Sequence, residues 1–279
     1  MSVVLEARGI CKYFGGLKAV DDVSMTINRG DIFGIIGPNG AGKTTFFNVC
    51  SGIYIPTRGS IFLDGEDITS MRSALIARKG LARTFQNIKL FKHMTVLENI
   101  TIGFHIHTKT GIIDAILRNK QFKKDEQLII ERGTDVLEKV GLQRYRDVRA
   151  GNLPYGIQRR VEIARALATD PKILLLDEPT LHLDINHQFD LLELIKRLAA
   201  EKGILILIVT HDIILAARYC DRIVIMQNKQ IHKIGDTVKV MLPENLKDAF
   251  MIETEVGHDD RFGIDVLIIG KDKDCGDGD

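Results

Sequence analysis

The residues with the clearest chemical purpose in this chain are Gly37-Pro38-Asn39-Gly40-Ala41-Gly42-Lys43-Thr44, which fit the phosphate-loop pattern G-x-x-x-x-G-K-[ST]. Glycines let successive backbone N–H groups turn inward on a phosphate chain, and a helix beginning at the end of the loop adds partial positive charge. Lys43 is then placed to reach the outer phosphates, and the Thr44 hydroxyl to ligate Mg²⁺. A second group closes the apolar run Ile173-Leu174-Leu175-Leu176 with Asp177-Glu178. The first carboxylate suits Mg²⁺ coordination; the second can orient and deprotonate a water that attacks a γ-phosphate. A third group, Thr210-His211-Asp212, follows the run Leu205 to Val209. Its imidazole can donate to the γ-phosphate and hold the water in line. Together these residues imply that the chain binds a nucleoside triphosphate and is equipped to hydrolyse it.

The elements that must position these groups follow from hydrophobic patterning. The runs Phe33 to Ile36, Ile173 to Leu176, Leu205 to Val209 and Ile223 to Met226 are almost wholly apolar, as in central strands of a mostly parallel sheet. A ligand gathers at the carboxyl edge of such a sheet, where all three chemical groups fall. Val3 to Ala7, Val20 to Ile27 and Gly59 to Leu63 read as strands of a partly exposed antiparallel sheet, the last turning at Asp64-Gly65. From Asn87 to Ala168 the pattern is helical. Lys124 to Val140 stops at Gly141, and Gln158 to Ala168 sets Val161, Ala164, Leu167 and Ala168 on one face with Arg159 and Arg160 on another. The expected architecture is α/β: a discontinuous sheet domain (1–87 and 169–255), an inserted helical subdomain (88–168) and a tail (256–279). The end of that tail, 271–279, alternates charge with glycine and is expected to be disordered.

Composition narrows the function classes. Among 279 residues, Lys plus Arg number 38 and Asp plus Glu 37, so the net charge of +1 gives no electrostatic case for nucleic acid. No apolar run approaches the ~18 residues of a membrane span, and Met1 to Arg8 lacks a signal-peptide pattern. Cys11, Cys50, Cys220 and Cys275 form no C-x-x-C pair and read as reduced thiols. The guanine-reading N-K-x-D of GTPases is absent: Asn228-Lys229-Gln230-Ile231 lacks the aspartate.

Gly37 to Thr45, Gln86, Asp177-Glu178-Pro179-Thr180 and His211, in that order, resemble the ATP-binding subunit of an ABC transporter, over about Val3 to Asp248. The resemblance implies a P-loop NTPase (RecA-like) core that hydrolyses Mg-ATP. It implies a head-to-tail pair with a second ATPase subunit, the same or paralogous. It also implies integral-membrane permease subunits, an external solute-binding protein acting indirectly, and a place on the cytoplasmic face of the cell membrane. Each ATP is then clamped between one phosphate loop and the other copy's signature segment, matched here by Leu153-Pro154-Tyr155-Gly156-Ile157. Pro154 stands where the family carries serine, which leaves backbone donors from Tyr155 and Gly156 onward for the clamp. Gln86 matches the glutamine that touches Mg²⁺ or the attacking water. Phe14 matches the aromatic that stacks on adenine, with Tyr13 the neighbouring candidate, and Asp184 matches the acid that meets the partner copy.

Within that family the chain reads as a mosaic. Phe14-Gly15-Gly16-Leu17, Ala82 to Asn87, Leu90-Phe91-Lys92, Met94 to Asn99, Asn152 to Gly156 and Arg159-Arg160 look like branched-chain amino-acid importers. His182 to Gln188, Leu215 to Arg222 and Glu255 to Asp259 look like siderophore or cobalamin importers. The permease-gripping groove falls in the first portion, which favours the amino-acid class. A non-transport ABC ATPase of DNA repair or ribosomes is the less favoured class, since the chain has no zinc module or tandem second ATPase domain.

Overall fold

The computed structural model describes residues 2–107, 120–259 and 263–271. Aliphatic runs too short and too apolar for surface elements become strands covered on both faces. β3 (Ile32–Ile36), β7 (Ile173–Asp177) and β8 (Leu205–Val209) are buried at every position. With β6 (Leu81–Arg83), β9 (Arg222–Gln227) and β10 (Gln230–Asp236) they form a six-stranded sheet in the order β10-β9-β3-β8-β7-β6. All its pairings are parallel except β9 with β10. The edge strand β6 was not legible in the sequence: three residues carry too little pattern, and it exists because Leu81 to Arg83 pair with Ile173 to Leu175.

A second sheet, wholly antiparallel, has the order β2-β1-β4-β5, from β1 (Val3–Phe14), β2 (Leu17–Asn28), β4 (Arg58–Leu63) and β5 (Glu66–Asp67). The inner positions Val23, Met25 and Ile27 of β2 alternate with exposed ones, as a sheet with one wet face requires. Between the sheets lies the helix that follows the phosphate loop, α1 (Lys43–Cys50). Its Phe46 and Phe47 pack with Phe33, Ile35, Leu175 and Leu207 in one hydrophobic core.

The other face of the parallel sheet is covered by helices. In chain order after the short α2 (Ser73–Arg78) come α3 (Val96–Phe104), α4 (Lys120–Lys139), α5 (Tyr155–Leu167), α6 (Ile185–Lys202) and α7 (Ile213–Tyr219). The insert between β6 and β7 has no separate core. Val96, Ile100, Leu137 and Val161 join Leu174, Ile206, Leu191 and Ile195 in a single buried cluster beneath the sheet. α3 begins with a capping box: Glu98 N–H donates to Thr95 Oγ1 at 3.2 Å, and Thr95 N–H donates to Glu98 Oε2 at 2.7 Å. One sequence expectation fails on α5. Arg159, assigned to a face away from the apolar stripe, is completely buried, while Arg160 is half-buried and pairs with Asp190 at 3.1 Å.

The stretch from 256, expected as a tail, is instead part of a hairpin. β11 (Ile252–Asp259) pairs antiparallel with β12 (Gly263–Lys271), and Ile264 and Val266 enter the helical-side core. Pairing rather than local composition makes this element. Of 271–279, where the disordered end was expected, Lys271 closes β12, and 272–279, Cys275 among them, lie outside the described residues.

Gly103 marks a close approach of α3 to α5. A Cβ there would lie 2.4 Å from the Arg165 carbonyl oxygen and 2.7 Å from Ala168 Cβ. Gly103→Ala therefore forces the helices apart, and urea unfolding should show a loss of about 1–3 kcal/mol. An unchanged midpoint would contradict this packing.

Candidate active site

The phosphate loop runs from the end of β3 into α1, and close packing dictates its glycines. At Gly37 a Cβ would meet the Met226 carbonyl oxygen at 2.1 Å. Gly42 has φ 96° at the N-cap of α1, and its Cβ would lie 2.5 Å from the Ala19 carbonyl oxygen. Lys43 is buried, and its Nζ donates to the carbonyls of Gly37 (2.6 Å) and Pro38 (3.1 Å). The ammonium thus lies folded against the loop. Burial lowers its pKa, and the negative charge of Glu178 works the other way.

The loop borders a cavity of about 540 Å³. Asn39, Gly40, Ala41, Gly42, Lys43, Thr44 and Thr45 line one side, with Gln86, Asp177 and Glu178 opposite. Strand register brings these together: Ile35 faces Val209 and Val209 faces Asp177, so the residues after each strand emerge at one edge. Glu178 N–H donates to the Val209 carbonyl at 2.9 Å, and Glu178 takes φ 46°, a left-handed conformation that costs a non-glycine residue of order 1 kcal/mol or more. Its Oε2 lies 2.9 Å from His211 Nδ1. An ionised carboxylate only accepts, so Nδ1 donates, which leaves Nε2 as a donor only when the ring is protonated. In this arrangement His211 acts first on Glu178.

Asp177 is buried, with Arg83 Nη2 at 3.4 Å from its Oδ2. Arg83 is itself fixed by Asn48 Oδ1 and Ser51 Oγ, each at 2.7 Å. Among the described residues no group of three His, Cys, Asp or Glu could hold a metal ion. The oxygens of Thr44, Asp177 and Gln86 are hard donors that fit Mg²⁺, provided that phosphate oxygens complete its shell.

The remaining expected residues gather elsewhere. Pro154 is the N-cap of α5 (φ −56°), and Gln158 N–H makes a first-turn bond to its carbonyl at 3.0 Å. The N–H groups of Tyr155 and Gly156 belong to the helix start, which has no intrahelical acceptors for them. The Tyr155 ring meets His182 edge-on at 6.1 Å. A Cβ on Gly156 would lie 3.0 Å from the His187 ring. Asp184 caps α6 by accepting from His187 N–H at 3.0 Å, and its other oxygen is 2.7 Å from His187 Nδ1. Tyr155, Gly156 and Asp184 thus form one patch, and none lines the cavity of Lys43.

Phe14 does not line the cavity either. Its ring packs edge-on against Tyr54 at 5.2 Å, with Lys12 Nζ 5.1 Å from its centroid. Leu17, Lys18, Ala19 and Lys229 border the cavity instead. Sequence reasoning missed these four. Leu17 to Ala19 directly follow the aromatic motif and were within its reach. Lys229 arrives only through the β9–β10 turn, whose tip is tied to β2 by Asp21 N–H donating to the Lys229 carbonyl at 2.9 Å.

A phosphate loop between strand and helix, paired carboxylates on the neighbouring strand and a histidine on the next define a P-loop nucleotide hydrolase. The family model described as "ABC transporter" matches residues 20–181. The chain belongs to the ABC transporter family and is one of its ATPases. It is 40% identical over 250 residues to the high-affinity branched-chain amino acid transport ATP-binding protein BraF of Pseudomonas aeruginosa, covering 86% of this chain and 98% of that protein. It is 31% identical to the cobalamin import ATP-binding protein BtuD of Halobacterium salinarum over 94% of this chain and 62% of that one. Among solved structures, the ADP conformation of MJ1267, an ATP-binding cassette of an ABC transporter, aligns with TM-score 0.77 at 35% identity, covering 88% of this chain and 98% of that one. The dimeric structure of MJ0796, a bacterial ABC transporter cassette, aligns with TM-score 0.70 at 26% identity, over 84% and 98%. Among the described residues, no helix is long and apolar enough to cross a membrane.

Burial raises the pKa of Asp177; Arg83 opposes the rise and Glu178 adds to it. A carboxyl raised in the fold holds its proton more tightly folded than unfolded. The fold therefore loses stability as pH climbs from the ordinary carboxylate range through the folded pKa. Asp177→Asn removes that cost. At pH 7 its thermal midpoint should equal or exceed that of the native chain, the gap closing below about pH 4, while ATP turnover collapses. A midpoint below the native one at pH 7 would refute the sign.

Proposed function

We propose that this chain is the ATP-hydrolysing subunit of an importer, energising uptake of branched-chain amino acids through a membrane permease. The observation that carries the catalytic half is the meeting of Lys43, Asp177, Glu178 and His211 at one sheet edge. Lys43 and the loop amides hold the β- and γ-phosphates. Thr44, Asp177 and Gln86 hold Mg²⁺, which supplies charge neutralisation at the transferring phosphoryl group. Glu178, oriented by His211, takes the proton of the attacking water. The patch of Tyr155, Gly156 and Asp184 faces the loop of a second copy or paralogue. ATP closes the pair and hydrolysis reopens it, a ligand-driven shift between two states. Phe14 serves the adenine only if it leaves Tyr54; Leu17 and Lys18 line the cavity and are the candidates for the base and ribose as the fold stands.

The transport half is supported by a groove of about 500 Å³ between the sheet edge and the helical insert, bordered by Ile53, Leu81, Phe85, Ile102 and Gly103. It is mostly apolar, with Arg83, Glu162 and Arg165 also on its walls, is open at the surface and begins one residue from Gln86. A permease segment seated there places the protein on the cytoplasmic face of the membrane, with an external solute-binding protein acting only through the permease. The amino-acid class is favoured by similarity to BraF over nearly that protein's full length. Ferric siderophore or cobalamin is the alternative, favoured by the His182 to Gln188 segment and the cobalamin relative.

Glu178→Gln should leave ATP affinity intact, lower kcat by about 10²- to 10⁴-fold and trap an ATP-bound dimer visible by size exclusion. Membranes with the tagged variant should yield a multi-span permease, and ATP-driven leucine uptake should fail in cells lacking the chain. Monomers with normal turnover would overturn the catalytic reading; loss of cobalamin uptake in place of leucine uptake would overturn the solute.

A further inference from the structure

We infer that Arg159 is a positioning residue for hydrolysis, holding the backbones of Glu178 and Gln86 in fixed relation across the seam between the helical insert and the sheet. Its guanidinium is fully buried in the first half of α5. From there it donates in two directions. Toward the sheet, Nη2 reaches the Glu178 carbonyl at 2.9 Å and Nε reaches the Pro179 carbonyl at 3.2 Å. Toward the segment after β6, Nη1 reaches the Phe85 carbonyl at 2.6 Å and Nη2 the Gln86 carbonyl at 3.2 Å. One rigid planar group thus bonds the main chain of both residues assigned to the water and the metal.

Glu162, one turn on and buried, supplies the counter-charge. Its Oε2 accepts from Arg159 Nη1 at 2.8 Å, and its Oε1 faces the N–H groups of Phe85 and Lys89, each at 3.4 Å. The pair therefore grips the Gln86 segment by carbonyl and amide at once. Only a guanidinium has enough donors in one plane for these five acceptors; an ammonium has three and no fixed plane. Glu178 needs such a restraint, because its positive φ is held only if the surroundings over-determine it. This inference rests on Glu178 as the group that activates water.

The test is steady-state ATPase on the full chain with Arg159→Lys and Glu162→Gln, beside Glu178→Gln, with ATP affinity measured separately by fluorescence. Arg159→Lys should lower kcat between about 10- and 100-fold, as a misplaced catalytic group does, with ATP affinity within twofold of native. In a Gln86→Ala background the same substitution should cost less, because both act through one segment. Should Arg159→Lys fail to fold, Glu162→Gln, which keeps shape but cannot accept at both oxygens, is read the same way. The inference is overturned if the soluble variant retains kcat within twofold, or if kcat and ATP affinity fall together. If Glu178→Gln itself turns over normally, it is the underlying reading of Glu178 that fails.

Discussion

Register among three parallel strands decides where the reactive groups meet. Ile35 on β3 lies beside Val209 on β8, and Val209 beside Asp177 on β7. The phosphate loop, His211 and Glu178 each follow within two residues of those positions. A slip of one residue in any of the three would carry its group across the sheet or about 3.3 Å along it, and the 2.9 Å contact between Glu178 and His211 would be lost. Continuous aliphatic burial fixes this register, so the apolar runs do chemical service although none of their side chains lines the cavity.

The same arrangement places charge where water is scarce. Lys43 and Asp177 are both buried, and each has its pKa pushed toward neutrality by that burial. Their ionised forms are held by neighbours: carbonyls of the loop for Lys43, Arg83 for Asp177. A triphosphate with its cation brings both signs of charge, so it can relieve both costs together. On the proposed function the site is thus better matched to Mg-ATP than to water, which is the electrostatic sense in which it is preorganised.

The residues of the candidate site were legible in the sequence because each motif is local: a strand, a few polar residues, then a helix or turn. Gly37 to Thr45, Asp177-Glu178 and His211 all have that form, and the structure gathers them as their strands require. What escaped depends on pairing. β6 is three residues long, the β11–β12 hairpin looked like tail, and Lys229 reaches the cavity only because β9 turns back on itself. The burial of Arg159, and with it any role, escaped for a different reason. Beside Arg160 on an amphipathic helix it resembled a solvated face, and a buried guanidinium is recognisable only when the carbonyls of Phe85, Gln86, Glu178 and Pro179 are seen around it.

Pro154 bears on how complete one copy can be. A serine at that place would offer a hydroxyl and an N–H; proline offers neither, yet it sits at the N-cap, where its carbonyl still receives the first helical bond from Gln158. The helix start is therefore intact, with its dipole and the amides of Tyr155 and Gly156 undiminished. Those amides lie in the patch with His182, Asp184 and His187, outside the cavity that holds Lys43. Under the proposed pairing, this helix start serves another chain's phosphate loop, since it lies away from its own. On that reading, proline in place of serine takes side-chain chemistry from the clamp and leaves its reliance on a second subunit unchanged.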